Sequence, residues 1–498
     1  MFKNEVAEFI YKRTYSRWLE EEGRREDWPE TIERLIGFLI SKRPDIPEKT
    51  INKIRKYMTE FAVMPSMRFL WAAGPAAEFD NTCIYNCAFG KINTVEAFAE
   101  CLYVLMCGTG YGFSVEQEEV EKLPEVPEIK SGQGLPKVII KDSKAGWADS
   151  VKILMGSLYD GQNLYFDYSA IRLEGARLMT MGGRASGPAP LIKLHDFIRE
   201  TMHNAQGRKL TTLEAHDICN QIAEIVVVGG VRRSSQISLS DLDDKDMRHA
   251  KEWPFPIKRA MANNSAIFRE KPSAAQFLKE WASLALSGTG ERGIFNLSAA
   301  QSRAPSRRYA PLIQGTNPCG EIMLRDMEFC NLSEVVVRED DDLDSLLDKV
   351  ETATWLGVIQ STFTDFPYLR KEWKKNCDVE RLLGVSLTGQ MDNHSILTSE
   401  ALKALKSRVL RISRKAANIL GINVPVATTC VKPSGTVSQL VDSASGVHPR
   451  YSQYYIRRYR IAARDPLFMM MKDAGIKAHP ENGQTEEDAT TWVLEFPV

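Results

Sequence analysis

The sequence lacks a long apolar run and a dominant charge. No stretch of about 18 apolar residues occurs, so we expect no transmembrane helix. The first residues, MFKNEVAEFIYKRTYSRWLEEEGRRED, have no apolar signal-peptide core and instead predict a charged helix. The 64 basic and 65 acidic side chains leave a formal net charge of −1. We therefore expect a cytoplasmic protein that has neither a membrane nor a nucleic acid as partner.

Close pairs of metal ligands are also scarce. Among nine cysteines and seven scattered histidines, only Cys83 and Cys87 have a close spacing, C-x3-C. A structural zinc ion usually needs two close ligand pairs, so we expect no metal site. An odd number of cysteines without a secretory signal argues against a disulfide framework. Most cysteines, such as Cys101 and Cys107 in an apolar helical run, are simply interpreted as core residues.

The hydrophobic pattern predicts an α/β protein in two parts. Residues 1–62 have apolar residues at helical spacing, and Pro65 ends this N-terminal helical region. In residues 63–498 strand-like segments alternate with helical ones, which favours a largely parallel sheet. The segments predicted as strands include NTCIYNCAF, AEIVVV, QISLS, GIFNL, EVVVRE and VATTCV. The acidic run REDDDLDS predicts the start of a helix.

Glycine-rich turns interrupt this pattern at several points. They are MTMGGRASGPAP, VVVGGVRRSS, LSGTGERGIFN and KPSGTVSQL. Glycine in such turns permits a positive φ or a close approach of the backbone to a ligand. A Walker A motif, G-x4-G-K-[ST], is missing from the sequence, so these turns do not predict a P-loop.

One short stretch, GTNPCGEIMLRDMEFCNLSE at 315–334, combines two thiols and a carboxylate. Cys319 lies between proline and glycine, which indicates a tight turn. Glu321 would raise the pKa of a nearby thiol, so the pair suits a nucleophilic thiolate poorly. The pair fits better a sulfur radical and a carboxylate that accepts a proton. Cys330 could be half of a redox pair, and the alternative is that both cysteines belong to the core.

The motif NPCGEI…CNL resembles the active-site finger loop of ribonucleotide reductases. Further motifs agree in the same order: MPSMRFLW, YNCAF, CGTGYGFSVE, GGRASGPAPL, VVGGVRRSSQISLS, GIFN, KPSGT and RDPL…LEFP. From about residue 8 to its end, the chain resembles the adenosylcobalamin-dependent class, in particular its ribonucleoside-triphosphate reductase branch. The resemblance implies an α/β fold with a ten-stranded barrel and a central finger loop at about 315–332. It also implies adenosylcobalamin as the source of the radical.

The resemblance assigns a role to each residue of the finger loop and its surroundings. Cys319 matches the cysteine whose thiyl radical removes the 3′ hydrogen of the ribose. Glu321 matches the carboxylate that takes the 3′-hydroxyl proton, and Asn317 an asparagine that hydrogen-bonds the substrate. Cys87 and Cys330 match the dithiol that reduces C2′ and ends as a redox-active disulfide.

Nucleotide-binding residues follow from the same resemblance. The substrate, a ribonucleoside tri- or diphosphate, is expected to contact Ser66, Asn86, Gly112, Pro433, Ser434, Gly435, Thr436 and Val437. In this set the KPSGTV loop would hold the phosphates through backbone N–H groups and hydroxyls. The loop at 181–188 resembles the one that links a deoxynucleotide effector to substrate choice, through Gly182, Gly183, Arg184 and Ser186.

The resemblance is incomplete at the C-terminus. Relatives of this branch continue beyond LEFP, where they complete the barrel and carry a cysteine pair that re-reduces the active-site disulfide. No cysteine follows Cys430 here, and the final apolar strand, TTWVLEFPV, suggests a missing packing partner. We therefore expect one piece of a split reductase whose C-terminal segment is a separate chain or is joined by splicing, and a truncated chain is the alternative. A thioredoxin-type reductant is the expected electron donor.

Three alternative functions remain at the level of sequence. The chain could be the large subunit of an iron-dependent reductase, although the eleven-residue gap from Cys319 to Cys330 favours the cobalamin class. It could be a catalytically incomplete nucleotide-binding fragment, but both Cys319 and Glu321 are present. The segment HPRYSQYYIRRYRIAAR mixes arginines with tyrosines, as single-strand nucleic-acid binders do. A partly buried strand is the simpler interpretation of that segment.

Overall fold

The computed structural model describes residues 2–130, 136–178, 184–227, 235–463, 465–482, 484–487, 489 and 491–498. Its α-helices, in chain order, are α1 (Glu5–Thr14), α2 (Trp28–Lys42), α3 (Glu48–Thr59), α4 (Met67–Ala72), α5 (Pro75–Phe79), α6 (Val95–Met106), α7 (Gln117–Val120), α8 (Lys144–Tyr159), α9 (Ala189–Asn204), α10 (Thr212–Val227), α11 (Lys245–His249), α12 (Ala274–Leu286), α13 (Leu297–Ser302), α14 (Leu343–Gln360), α15 (Lys371–Glu380), α16 (Ser399–Ile419), α17 (Thr436–Leu440) and α18 (Pro466–Asp473).

The strands of the same residues are short. They are β1 (Trp18–Leu19), β2 (Arg24–Arg25), β3 (Val63–Pro65), β4 (Cys87–Lys91), β5 (Gly110–Ser114), β6 (Lys137–Ile139), β7 (Tyr165–Asp167), β8 (Gln236–Asp241), β9 (Ala262–Phe268), β10 (Gly293–Asn296), β11 (Gly315–Thr316), β12 (Met323–Leu324), β13 (Glu328–Phe329), β14 (Leu332–Val336), β15 (Gly384–Thr388), β16 (Ile456–Ala462), β17 (Ala478–Pro480) and β18 (Thr491–Pro497).

A six-stranded sheet forms one side of the central structure. Its order is β10-β9-β8-β5-β4-β13. The five strands from β10 to β4 pair in parallel. The sixth, β13, pairs antiparallel to β4. Helices connect the parallel strands, as crossover connections require, and this confirms the predicted α/β class.

A three-stranded sheet, β15-β14-β3, forms the other side. β14 pairs in parallel with β15 and antiparallel with β3. Since β13 ends at Phe329 and β14 begins at Leu332, the chain crosses from one sheet to the other through Cys330 and Asn331. This crossing carries one of the two cysteines expected to reduce the substrate.

Apolar side chains form a small cluster between the two sheets and the 315–324 segment. We call it the inner cluster; its buried members are Cys87, Phe89, Ile237, Leu239, Ile267, Leu297, Ile313, Ile322, Leu324, Cys330, Leu332 and Leu382. Side chains alternate across a strand, so on β5 Tyr111 and Phe113 belong to a second, larger cluster that packs the helices. Inward-facing residues therefore surround the finger loop and outward-facing ones hold the helical layer.

The N- and C-terminal segments pack together. Phe9 of α1 contacts Tyr459 and Phe496, with ring centroids 5.4 and 5.0 Å away. These two residues lie on β16 and β18 of a third sheet, ordered β16-β18-β17. The predicted strand in HPRYSQYYIRRYRIAAR is thus found as β16, and its side chains alternate between exposed and more buried positions.

Several local predictions were wrong. The predicted N-terminal helix ends at Thr14 and is followed by the β1–β2 hairpin. The segment NTCIYNCAF begins as a 3-10 helix, Asn81–Ile84, and becomes a strand only at Cys87. The described part of AEIVVV, residues 223–227, falls on α10. Ile218 and Ile222 of this helix are buried one turn apart, so burial of a helix face overrides the strand propensity of Val226 and Val227.

VATTCV also differs from its prediction. It runs beside β15 in extended form, and Val385 N–H donates to the Thr428 carbonyl at 3.0 Å. A single parallel bridge, Val385 to Thr429, replaces the expected strand. The acidic run behaves as predicted, because Asp342 caps α14. Within the described residues, no helix combines the length and apolarity needed to cross a bilayer.

Candidate active site

The finger loop is a tight hairpin whose tip carries Cys319. β11 pairs antiparallel with β12, with Thr316 opposite Met323. Asn317 holds the turn closed: its Oδ1 accepts from Ile322 N–H at 3.0 Å, and its Nδ2 donates to Glu321 Oε2 at 2.8 Å. The side chain of Asn317 is fully buried, whereas Cys319 is exposed. The loop thus exposes the Cys319 sulfur, while Asn317, which closes the turn, is buried.

Two glycines of β5 provide the space for this loop. A methyl group added to Gly112 would overlap the Thr316 carbonyl oxygen. One added to Gly110 would lie 3.2 Å from Cys87 Sγ and 3.3 Å from the Pro318 ring. The residue before Cys319 and the sulfur of Cys87 are therefore neighbours across Gly110. Gly112, expected to contact substrate, here contacts the finger loop, by the close backbone approach that glycine allows.

Cys87 and Cys330 are cross-strand neighbours. The β4–β13 register pairs Phe329 with Ala88, and the Cys330 N–H donates to the Cys87 carbonyl at 2.9 Å. Directly opposed residues of this kind have Cα atoms about 5.5 Å apart, which is within the range that a disulfide spans. Both side chains are buried in the inner cluster, and all nine cysteines of the chain, every one in its described part, are thiols.

The Glu321 carboxyl lies between opposing electrostatic influences. Burial raises its pKa above the ordinary value of 4.5. The hydrogen bond from Asn317 opposes that rise, and the positive charge of Lys432 opposes it further. A carboxyl whose pKa lies above its ordinary value is a stronger base, which suits it to accept a proton.

A second group of polar residues lies behind the finger loop. Lys432 Nζ donates to Glu334 Oε2 at 2.9 Å, and both side chains are buried. Cys430 Sγ lies beside Gly384 and the Asn331 carbonyl and packs on the inner cluster. Burial raises the pKa of the Cys430 thiol, and the negative charge of Glu321 raises it further. These three residues join the site only through the tertiary fold.

The expected nucleotide-binding residues converge from distant parts of the chain. Ser66 caps α4 and donates to the Ile84 carbonyl at 3.3 Å, two residues before Asn86. The next residue, Met67, accepts from Thr436 Oγ1 at 3.5 Å. Thr436 also shares a hydrogen bond with Tyr15, the residue that follows α1, at 3.0 Å. The structure thus brings the MPS segment and the KPSGTV loop side by side.

Two buried oxygens in this region have no hydrogen-bond partner among the described atoms. They are Asn86 Oδ1 and Ser434 Oγ. Because burying an unpaired polar group costs roughly 1–3 kcal/mol, a ligand that pairs them would gain by binding. In the same loop Pro433 and Gly435 are exposed, and Val437 is buried. Gly435 has φ +58°, which a side chain would disfavour.

The predicted effector-linked loop is described in part. Gly182 and Gly183 lie outside the described residues, as does most of VVVGGVRRSS. Arg184 forms an antiparallel bridge with Arg177, and Ser186 Oγ is 3.4 Å from the Gly187 carbonyl. Arg177 reaches Glu20 at 2.8 Å and lies over the Trp18 ring, so the base of this loop contacts the N-terminal hairpin.

Comparisons with known proteins agree with this geometry. A family model described as "Ribonucleotide reductase alpha domain" matches residues 1–75. The chain is 29% identical to the adenosylcobalamin-dependent ribonucleoside-triphosphate reductase of Lactobacillus delbrueckii subsp. bulgaricus, over 98% of this chain and 78% of that protein. It is 27% identical to the protein of the same name from Lacticaseibacillus paracasei, over 99% of this chain and 79% of that protein.

Solved structures give the same result. A crystal structure of a B12-dependent, class II ribonucleotide reductase matches with a TM-score of 0.82 and 26% identity, over 98% of this chain and 81% of that one. The α subunit of the Actinobacillus ureae class Id reductase matches with a TM-score of 0.56 and 14% identity, over 95% and 79%, which is a likeness of fold alone. In fold and finger loop the chain is therefore similar to ribonucleotide reductases.

The relatives with curated names agree with one another on the class. The chain is similar over nearly its whole length to adenosylcobalamin-dependent ribonucleoside-triphosphate reductases, which confirms the resemblance found in its motifs. The expected reductase barrel fold is confirmed with it.

Sequence analysis missed the polar residues behind the finger loop. Lys432 stands directly before PSGT, and no role was assigned to it. Glu334 is a charged residue inside the strand LSEVV, and a charge at a buried strand position is the signal that could have revealed it.

Proposed function

We propose that this chain reduces ribonucleotides to 2′-deoxyribonucleotides through a thiyl radical on Cys319. The observation that carries the proposal is the exposed sulfur of Cys319 at the tip of a buried loop, with Glu321 on the same loop and the Cys87–Cys330 pair beside it. The relatives named as ribonucleoside-triphosphate reductases support it.

The first step takes place on the 3′ carbon of the ribose. The Cys319 sulfur radical removes the 3′ hydrogen atom and becomes a thiol. Glu321 accepts the 3′-hydroxyl proton, which favours loss of the neighbouring 2′-hydroxyl. Asn317 holds Glu321 at 2.8 Å and so fixes the direction in which the carboxylate faces. The closed turn therefore presents radical and base to adjacent positions of one sugar.

The second step needs two electrons and two protons. Cys87 and Cys330 supply both: one thiol protonates the departing 2′-hydroxyl, which leaves as water, and the pair becomes a disulfide. C2′ gains hydrogen in place of the hydroxyl. Glu321 gives its proton back to the 3′ oxygen, and the radical returns to Cys319 when the sugar takes back the 3′ hydrogen. Adjacent strand positions suit this role, because the disulfide can form with little movement of the backbone.

The exposed tip of the loop fits an external radical source. Adenosylcobalamin, named in the relatives' descriptions, supplies radical chemistry when bound, and Cys319 is the residue that receives it. Asn317 and Ile322, which close the turn, are buried, so the loop is anchored while the Cys319 sulfur stays reachable.

The substrate is proposed to enter between the MPS segment and the KPSGTV loop. Ser434 and Asn86 have unpaired buried oxygens there that a nucleotide could satisfy. We further propose a deoxynucleotide effector at the 181–188 loop and a thioredoxin-type donor that re-reduces the Cys87–Cys330 disulfide. A C-terminal reductase fragment that carries electrons from that donor to the disulfide should raise the number of turnovers when it is added.

An iron-dependent large subunit is the second candidate. The class Id subunit shares the fold alone and does not favour this candidate, and its TM-score of 0.56 is well below the 0.82 of the class II structure. Reduction with adenosylcobalamin and without any metal subunit would separate the two. A catalytically incomplete nucleotide-binding fragment would bind nucleotide and give no product in either assay.

The decisive experiment is an assay with adenosylcobalamin, a ribonucleotide and a dithiol, run with and without a candidate C-terminal fragment. Cys319→Ser should abolish deoxynucleotide formation, because an oxygen-centred group cannot replace the sulfur radical. Cys87→Ser and Cys330→Ser should still form the radical but give no normal product. The control is Cys101→Ser, in a buried helix outside this site, which should keep the reaction. Full activity of Cys319→Ser would overturn the proposal.

A further inference from the structure

A buried ion pair lies behind the finger loop and is not used by the steps above. Lys432 is 5% exposed and Glu334 is 0% exposed. Lys432 Nζ lies 2.9 Å from Glu334 Oε2, and the other carboxylate oxygen of Glu334 has no hydrogen-bond partner among the described atoms. The backbone N–H of Lys432 donates to Ser386 Oγ at 3.0 Å, which fixes where the lysine leaves the chain.

Position connects this pair to the reacting groups. Glu334 is on β14, four residues after Cys330, and pairs in register with Ser386 of β15. Lys432 is two residues after Cys430, whose sulfur packs on the inner cluster that also contains Ile322. Ile322 is the neighbour of Glu321 in the chain. Lys432 and Glu334 thus adjoin, through Cys430 and Cys330 of their own segments, the inner cluster that the finger loop enters with Ile322.

Stability alone does not explain such a pair. Removing two charges from water is costly, and replacing a buried ion pair by apolar residues is often neutral or stabilising. Here the cost is increased by the unpaired oxygen of Glu334. A charge kept at this cost, close to a carboxyl that must be ionised for the reaction, has a use in that reaction.

We propose that Lys432 is a positioning residue, held in place by Glu334, which keeps a positive charge behind Glu321 so that this carboxylate is ready to accept the 3′-hydroxyl proton. The inference rests on the proposed function, because it concerns the base of the same reaction. Lys432 does not touch the sugar in this scheme and acts through Glu321.

The electrostatics of Glu321 support this role. Burial raises the pKa of Glu321, and Asn317 and Lys432 act against burial. The other titratable groups on this side are Cys430 and Glu334, which face the same lysine. Cys87 and Cys330 share the adjoining inner cluster, and Cys319 is two residues back in the loop. The positive charge of Lys432 acts on both Glu321 and Cys430, and it favours the ionised form of each.

The test is the pH profile of the turnover rate. Turnover requires ionised Glu321, so the rate falls as pH falls through the pKa of this group. Lys432→Met removes the opposing charge, and the acid limb should move up by about one pH unit. Lys432→Arg should keep the limb near its original position. Glu334→Gln leaves the lysine charge uncompensated, so the limb should move in the opposite direction, to lower pH.

Lys349 provides a matched control. It is also a buried lysine, 7% exposed, paired with the Asp341 carboxylate at 2.6 Å. Its Nζ donates to the carbonyl of Val336 at the far end of β14. Lys349→Met is the same chemical change in a similar setting, and it should leave the acid limb where it is. An equal shift in this variant would show a general effect of destabilisation and would overturn the inference.

A second readout needs no turnover. Infrared difference spectra between the wild-type and Glu321→Gln chains, recorded as pH is lowered, detect the C=O band of protonated Glu321. That band should appear at higher pH in Lys432→Met than in the wild type. If Lys432→Met does not fold because Glu334 is left unpaired, the double variant Lys432→Met/Glu334→Gln removes both charges, and its band should appear at higher pH than in Glu334→Gln alone.

The outcomes separate the inference from the proposed function. If the wild-type chain makes no deoxynucleotide under any condition, the proposed function fails, and the infrared result alone decides whether Lys432 acts on Glu321. If the wild type is active but neither the acid limb nor the infrared band moves in Lys432→Met or the double variant, the inference is wrong and the proposed function stands.

Discussion

At the scale of the residue, the chemistry depends on one contrast in exposure. Cys319 is exposed, whereas Cys87 and Cys330, the thiols beside it, are buried. A sulfur that must receive a radical from outside has to be reachable. Thiols that must deliver electrons only to the substrate are protected from other oxidants by burial. The two environments adjoin because the tip of the finger loop projects while its strand β11 packs on β5 and on β4, which carries Cys87.

Glu321 gives a prediction at this scale. Its pKa is raised by burial, so the rate should fall as pH falls through a value above 4.5, the ordinary value for a glutamate. Glu321→Gln cannot accept a proton, and the rate should fall by about 10²- to 10⁴-fold. The remaining rate should lose the acid limb of the pH profile. A profile that keeps the same acid limb in Glu321→Gln would assign that limb to another group.

At the scale of the element, the site depends on the fit between the finger loop and β5. Gly110 and Gly112 leave a smooth surface on which β11 and Pro318 lie. Phe89 of the neighbouring strand packs on Gly315, where an added methyl group would overlap the ring. The position of the loop is thus set by Gly110 and Gly112 of β5 and Gly315 of β11. None of these residues has a side chain that could react.

Gly112→Ala tests this fit. The new methyl group would overlap the Thr316 carbonyl, so the finger loop must move, and overpacking of this kind typically costs about 1–3 kcal/mol. We expect reduction to be lost and amide hydrogen exchange to increase at 315–324. The matched control is Gly156→Ala in α8, where an added methyl meets nothing within 4 Å. That change should stabilise the chain by up to about 1 kcal/mol and keep the activity.

At the scale of the whole molecule, the two ends of the chain support the site together. α1 packs on β16 and β18 through Phe9, and Arg13 donates to the Arg460 carbonyl at 2.9 Å. The same helix is followed by Tyr15, which bonds Thr436 of the expected phosphate loop. The N-terminal region is therefore joined to the nucleotide site and to the C-terminal sheet at once.

Phe9→Ala measures this long-range support. Phe9 is 7% exposed, and its removal should cost about 3–5 kcal/mol in the free energy of unfolding. Phe79→Ala is the matched control, because Phe79 is 71% exposed and its loss should change stability by less than about 0.5 kcal/mol. Chemical denaturation of both variants checks the difference. Equal effects would mean that the contact between the two ends contributes little.

Much of the fold could be predicted from local patterns, and the errors have a common cause. Helix α6 and strands β5, β8, β10 and β14 lie where periodicity and glycine turns predict them. AEIVVV was predicted as a strand, but its valines end a helix whose buried face packs on α6 and α9. VATTCV has strand composition and only one bridge. In each case the burial of a distant surface decided between two locally acceptable conformations.

The sequence by itself determined the finger loop and its class. Proline, cysteine and glycine at 318–320 favour a turn, and the ordered motifs indicate the reductase type because the chemistry depends on residues that are adjacent in the chain. Only the tertiary structure brought Cys87 opposite Cys330, 243 positions apart in sequence, and Lys432 against Glu334, 98 apart. These contacts depend on strand register and on the packing of the two sheets. Neither can be predicted from a local pattern of residues.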